Sequence, residues 1–313
     1  MRSREIFFAR NVVNKMHVVI VGMGALGILY GDRITGTLGK EAVTFLADES
    51  RVKKYQAEGV TCNGRKCDFQ VASVAETADL LIFAVKGTAL KEAMALAKDV
   101  VSEETIILSV LNGISSEEML EAFYDKGHVV HCIAQGMDAV KLGNELTYEH
   151  EGELRIGSPD AEKQVYVQKA AAMLKEAGVP YVIEEDIIHR LWSKWMLNVG
   201  VNQVVMVEEG TYDTIQKQGV PRERMIAAMK EVQTLSELAK TGVTKEDLEA
   251  YVALVDTLNP QGMPSMRQDG LTGRYSEVDF FAGTVIEKAK QYGLDVPINE
   301  GLYRQVKEME AAY

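Results

Sequence analysis

Residues 17–34 read His-Val-Val-Ile-Val-Gly-Met-Gly-Ala-Leu-Gly-Ile-Leu-Tyr-Gly-Asp-Arg-Ile, and the fold is decided here. His17–Val21 is a short β-branched run of the kind found in strands buried on both faces. It leads directly into Gly22-Met23-Gly24-Ala25-Leu26-Gly27, and Ile28–Ile34 continues with helical character. Each glycine has its own physical reason. Gly22 makes the tight turn, Gly24 allows close approach of a pyrophosphate, and Gly27 allows helix–strand packing. The helix N-terminus adds unpaired N–H groups and a partial positive charge that suit phosphate. A Gly-x-Gly-x-x-Gly spacing is weak alone, but at the first strand-to-helix turn of a βαβ unit it reads as a dinucleotide site.

Outward from this turn the chain has two rhythms. Apolar runs at Ala42–Leu46, Leu80–Val85, Thr105–Val110 and Val129–Ile133 alternate with helical stretches, which predicts a parallel, doubly wound sheet. Leu154–Ile156 and Tyr181–Ile183 are expected to extend it. From Asp186 the strands stop, and helical patterns cover Ile187–Val207, Pro221–Thr241, Lys245–Leu258, Ser276–Tyr292 and Pro297–Glu310. Pro221 and Pro297 suit first-turn positions, and Gly242 and Gly293 suit helix ends. The expected division is a nucleotide-binding domain over 16–185 and an all-helical substrate and catalytic domain over 186–313. Met1–Lys15, with Arg2, Arg4, Arg10 and Lys15 against Glu5, reads as an extension outside the fold, because Ile6–Ala9 is too short for a signal core.

Composition narrows the partners. A net charge of −12 argues against a nucleic-acid footprint. No apolar run approaches the roughly 20 residues of a membrane span. Cys62, Cys67 and Cys132 lack metal-site spacing and read as reduced thiols in a cytoplasmic protein, and no metal is expected. Met225, Met229, Met263 and Met266 are expected to fill the core. The long C-terminal helices are compatible with a monomer or a homodimer.

Three further features bear on chemistry. Asp48 ends the second strand, where an acid hydrogen-bonds an adenosine ribose and favours NAD. Arg51, Lys53 and Lys54 follow closely; they suit a 2′-phosphate, or equally an exposed helix face. Lys194, Asn198 and Asn202 are spaced i, i+4, i+8 and share one stripe of an otherwise apolar helix, as either a solvent face or a cleft lining. Ser276 and Asp279 predict a capping box for the helix over 276–292, with Glu277 in its first turn.

With these segments in view, the chain resembles the ketopantoate reductase (2-dehydropantoate 2-reductase) family over nearly everything after Met16. The shared motifs are the turn Gly22–Gly27, Val85-Lys86, Asn112-Gly113, the Trp-x-Lys-x-x-x-Asn-x-x-x-Asn helix from Trp192 to Asn202, and Ser265–Asp269 with Glu277–Asp279. The resemblance implies a Rossmann-like domain followed by an all-α domain of the 6-phosphogluconate dehydrogenase plan. It implies reduction of ketopantoate to (R)-pantoate, on the route to pantothenate, with NADP(H). By resemblance Lys194 is the catalytic acid with Glu277 as its companion, and Asn198, Asn202, Ser265 and Glu277 contact the substrate. The cofactor positions fall on Gly22, Met23, Gly24, Ala25, Leu26 and Gly27, with Lys86 and Asn112 at the nicotinamide end. Two departures stand out. Asp48 occupies a place where the family often carries Arg, which keeps NAD(H) open. Gly262 stands near a frequent substrate-contacting Asn, which leaves room for another small 2-oxo acid. A non-catalytic dinucleotide sensor would keep the glycine turn but has no use for Lys194 or Glu277.

Overall fold

The computed structural model describes residues 15–125 and 127–313. The expected N-terminal extension, apart from Lys15, therefore lies outside the described residues. In chain order the first half comprises β1 (Val18–Val21), α1 (Ala25–Leu38), β2 (Val43–Leu46), α2 (Glu49–Glu58), β3 (Thr61–Cys62), β4 (Arg65–Lys66), β5 (Gln70–Ala72) and β6 (Leu80–Phe83). It continues with α3 (Leu90–Leu96), β7 (Ile106–Ser109), α4 (Ser116–Phe123), β8 (His128–Met137), β9 (Val140–Leu142), β10 (Glu145–Thr147), β11 (Glu151–Gly157), α5 (Gln164–Glu176) and β12 (Tyr181–Ile183). Helices follow: α6 (Ile187–Val207), α7 (Tyr212–Gln216), α8 (Val220–Ala239), α9 (Lys245–Thr257), α10 (Ser265–Leu271), α11 (Ala282–Tyr292) and α12 (Pro297–Glu310).

Eight strands form one sheet in the order β12-β11-β8-β7-β6-β1-β2-β5. From β5 to β8 every pairing is parallel, as buried apolar strands joined through helices require. Along β1 the side chains divide with period two. Val18 and Ile20 enter the core on one face, and Val19 and Val21 enter the core on the other. β11 joins the sheet as expected, but antiparallel to β8. The reason is the connection: β9 and β10 turn the chain straight back, without the helical crossover that a parallel neighbour needs. β9 and β10 also pair with β3 and β4 in a small four-stranded sheet that two- and three-residue runs did not announce.

The helical half is organised around α6, which is buried along most of its length and begins with Asp186 accepting from the His189 amide at 2.9 Å. Four sequence readings need correction. The helix expected over 276–292 starts only at Ala282, after a 3₁₀ turn over Val278–Phe280. The expected capping box is absent: Ser276 donates to Glu310 Oε1 through both N and Oγ, and Asp279 accepts from Tyr303 and Lys307 instead. Glu277 therefore precedes the 3₁₀ turn rather than sitting in an α-helical first turn. At the end of α8 the left-handed residue is Lys240, not Gly242, while Gly293 ends α11 as expected. Met225, Met229 and Met266 are core residues, but Met263 lines a cleft.

Candidate active site

The site lies at the carboxyl ends of β1, β2, β6 and β7. The chain leaves β1 toward β2 on one side of the sheet and returns through β6 on the other, so a crevice opens above the switch point. The facing wall comes from α6, α9 and α10. Between them is a cleft of about 1710 Å³, lined at one end by Met23, Gly24 and Asp48 and at the other by Lys194, Asn202 and Ser265.

At the glycine turn the packing explains two of the three glycines without a ligand. Gly22 has φ +109°, and a Cβ there would stand 2.5 Å from the Ala84 carbonyl oxygen. A Cβ on Gly27 would stand 2.0 Å from the Gly22 carbonyl oxygen, so helix and strand can meet only without it. Gly24 is different. Its Cβ would meet only Ala84 O, at an ordinary 3.5 Å, so the protein itself has room for a side chain there. Gly24 is exposed to the cleft, and no side chain caps α1, leaving its first-turn N–H groups open to a phosphate. Met23, Ala25 and Leu26 line the same end.

Asp48 caps α2, accepting from the Arg51 amide at 2.9 Å and from Ser50 Oγ at 2.5 Å. The Ser50 hydroxyl, then the Arg51 amide, hold its carboxyl below the usual range. Its other oxygen pairs with the Arg51 guanidinium at 3.3 Å, so the acid and the base that sequence reading set against each other are partners. Lys53 and Lys54 are exposed on α2.

At the other end, Lys194, Asn198 and Asn202 all face the cleft, which resolves the stripe of α6 as a lining. Lys194 Nζ donates to the Ala134 carbonyl at 2.5 Å and to Asn112 Oδ1 at 3.3 Å. Desolvation lowers its pKa to about 8, with Arg190 pushing the same way and Cys132 and Glu277 opposing. Glu277, 8% exposed, accepts from the Gly87 amide at 3.3 Å. Burial raises its pKa, against the Gly87 amide, Lys86 and the Asn112 side chain. Asn112 thus stands between the ammonium and the carboxyl. Asn202, 6% exposed, accepts through Oδ1 from Ser265 Oγ and from the Met266 amide, both at 3.2 Å. Lys86 lines the cleft but is spoken for: its ammonium pairs with Asp269 at 2.7 Å.

Sequence reading missed Arg190, one turn before Lys194 on the same face, which lines the cleft and donates to Gln135 Oε1 at 2.7 Å. Extending the i, i+4 stripe backwards would have found it. It also missed Ala134, whose contribution is a backbone carbonyl and leaves no mark in sequence. Among the described residues, Asp138, Glu149 and His150 could meet at a metal, but all three are exposed and away from this end of the cleft. No helix among the described residues is long and apolar enough to cross a membrane, and the cysteines are free and buried.

Known proteins show the same plan. The family described as Ketopantoate reductase PanE/ApbA matches residues 18–161, and its C-terminal counterpart matches residues 186–310. The 2-dehydropantoate 2-reductase of Aquifex aeolicus is 28% identical over 304 residues, covering 94% of this chain and 97% of the relative. That of Pyrococcus abyssi is 27% identical over 302 residues, covering 95% and 98%. Among solved structures, a PanE/ApbA family ketopantoate reductase from Ralstonia eutropha superposes with TM-score 0.83 at 23% identity, covering 95% of this chain and 99% of that one. A D-mandelate dehydrogenase, solved with NADH and anilino(oxo)acetate, superposes with TM-score 0.85 at 20% identity and the same coverage.

Proposed function

The chain belongs to the ketopantoate reductase family, and on that premise we propose that it reduces 2-dehydropantoate (ketopantoate) to (R)-pantoate with NADH. The observation that carries the reading is the desolvated ammonium of Lys194, aimed into a cleft whose far end is an open glycine turn. A reduced nicotinamide supplies the hydride when bound. Gly24 and the first turn of α1 hold the pyrophosphate, and Asn112 lies beside the nicotinamide end. Lys194 hydrogen-bonds the ketone oxygen, stabilises the charge that develops there and donates the proton. Ala134 O and Asn112 hold its amine in place. Glu277 keeps a negative charge near enough to favour the protonated form. Asn198, Asn202 and Ser265 orient the substrate.

NADH is favoured over NADPH because Asp48 sits at the end of β2, where a carboxylate accepts ribose hydroxyls and repels a 2′-phosphate. The nearest guanidinium, that of Arg51, is already paired with this acid. Absorbance of the reduced nicotinamide, followed with ketopantoate and each cofactor in turn, tests both statements. Rapid oxidation of NADH, with NADPH at least tenfold poorer in kcat/KM, is expected. Equal or better use of NADPH overturns the cofactor assignment, and oxidation of neither overturns the reaction.

A further inference from the structure

The geometry points to a further activity, which rests on the reductase reading above: the same cleft reduces 2-oxo acids whose third carbon carries only apolar groups, branched or aromatic, laid against the ring of Tyr212.

One support is that the polar groups around the reacting end are satisfied by the protein itself. Glu277 accepts from the Gly87 amide and from the Asn112 side chain. Asn202 Oδ1 accepts from Ser265 Oγ and the Met266 amide. A site that relies on a substrate hydroxyl leaves its own groups orphaned when the hydroxyl is missing, and rejects such an analogue by about 10⁴-fold or more. Here the loss of a substrate hydroxyl orphans neither group. Asn198 and Lys194 serve the carboxylate and ketone that every 2-oxo acid shares.

The second support is the wall beyond Ser265. The Tyr212 amide donates to the Gly262 carbonyl at 3.0 Å, bringing the first turn of α7 against the segment that leads into α10. Gly262 lets the ring lie flush on that segment: a Cβ there would stand 3.0 Å from both Cδ2 and Cε2 of Tyr212. Tyr251, Leu254, Leu258 and Met263 continue the lining. Asn259 also faces the cleft, but its side-chain oxygen is taken by the Gln261 amide at 3.0 Å. An aromatic face beside aliphatic side chains receives an apolar substituent without desolvating an unpaired donor. The chemistry balances as for the hydroxylated substrate. One hydride from the reduced dinucleotide adds to the C2 carbonyl carbon, the π pair moves to oxygen, and Lys194 supplies the proton. The products are a 2-hydroxy acid and the oxidised dinucleotide.

The test is steady-state kinetics of the full chain with ketopantoate, with trimethylpyruvate (the same acid without its hydroxyl) and with phenylglyoxylate. Both apolar acids are expected within about 300-fold of ketopantoate in kcat/KM, the scale of discrimination an apolar pocket achieves. A larger loss for either overturns the inference and leaves ketopantoate reduction standing; turnover of none of the three overturns both. Tyr212→Ser and Gly262→Ala then test the placement. In each, the phenylglyoxylate-to-ketopantoate ratio of kcat/KM is expected to fall at least tenfold, an internal comparison that a general loss of folding does not move. An unchanged ratio in both variants removes Tyr212 from the substrate wall.

Discussion

Lys194 shows how much a single side chain owes to its surroundings. Its identity and its place on one stripe of α6 are written in the sequence, but its pKa of about 8 comes from desolvation that only the folded cleft imposes. The proposed role needs the protonated amine, which is present below that pKa and lost as pH rises through it. The pH profile of kcat/KM is therefore expected to fall above about pH 8, rather than near the ordinary lysine value. A plateau extending beyond pH 10 would remove Lys194 as the acid. Lys194→Ala is expected to lower kcat by about 10²–10⁴-fold, the range for loss of a positioned acid. Dinucleotide binding, read by fluorescence titration, should remain, because the glycine turn lies at the other end of the cleft.

At the scale of elements, the β1–α1 turn separates packing from ligand binding. Gly27→Ala forces its Cβ against the Gly22 carbonyl, and the shift needed is expected to cost about 1–3 kcal/mol of stability together with dinucleotide affinity. Gly24→Ala meets only ordinary contact, so its denaturation midpoint should stay near the parent's while NADH affinity falls at least tenfold. Urea titration beside NADH titration distinguishes them. Equal stability losses would mean that Gly24 is a packing residue too. Strand and helix periodicity was legible here, and Ile187–Val207, Tyr181–Ile183 and Pro297–Glu310 form over the expected residues. The segment after Arg274 was not legible. Ser276 had a distant partner in Glu310, and local capping logic does not see a side chain 34 residues away.

Across the whole molecule, the two halves are tied beside the cleft by contacts distant in sequence. Lys86 follows β6 and pairs with Asp269 on α10, with exposures of 40% and 8%. Arg274 reaches the same carboxylate at 3.2 Å. Because the Lys86 side is open to solvent, the bridge is worth less than a fully buried pair, and Asp269→Ala is expected to cost about 1–2 kcal/mol. A double-mutant cycle with Lys86→Met, measured by urea unfolding, should show a coupling above about 0.5 kcal/mol. Additive effects would mean that the bridge does not hold the halves together.

The sequence by itself determined the order of elements, the dinucleotide turn and the Lys194–Asn198–Asn202 stripe, because these follow from local periodicity and from the steric needs of backbone turns. It also carried Asp48, though not what Asp48 touches. Only the tertiary structure decided that β11 runs antiparallel, that Asp48 is paired with Arg51, and that Lys86 is engaged by Asp269. It alone placed Tyr212 against Gly262 and Ala134 O beneath Lys194. Asp48 and Arg51 are close in sequence, but their pairing depends on α2 beginning where it does and on which way the guanidinium turns. The other meetings join groups remote along the chain. They are set by how independently patterned segments close on one another, and no local pattern encodes that closure.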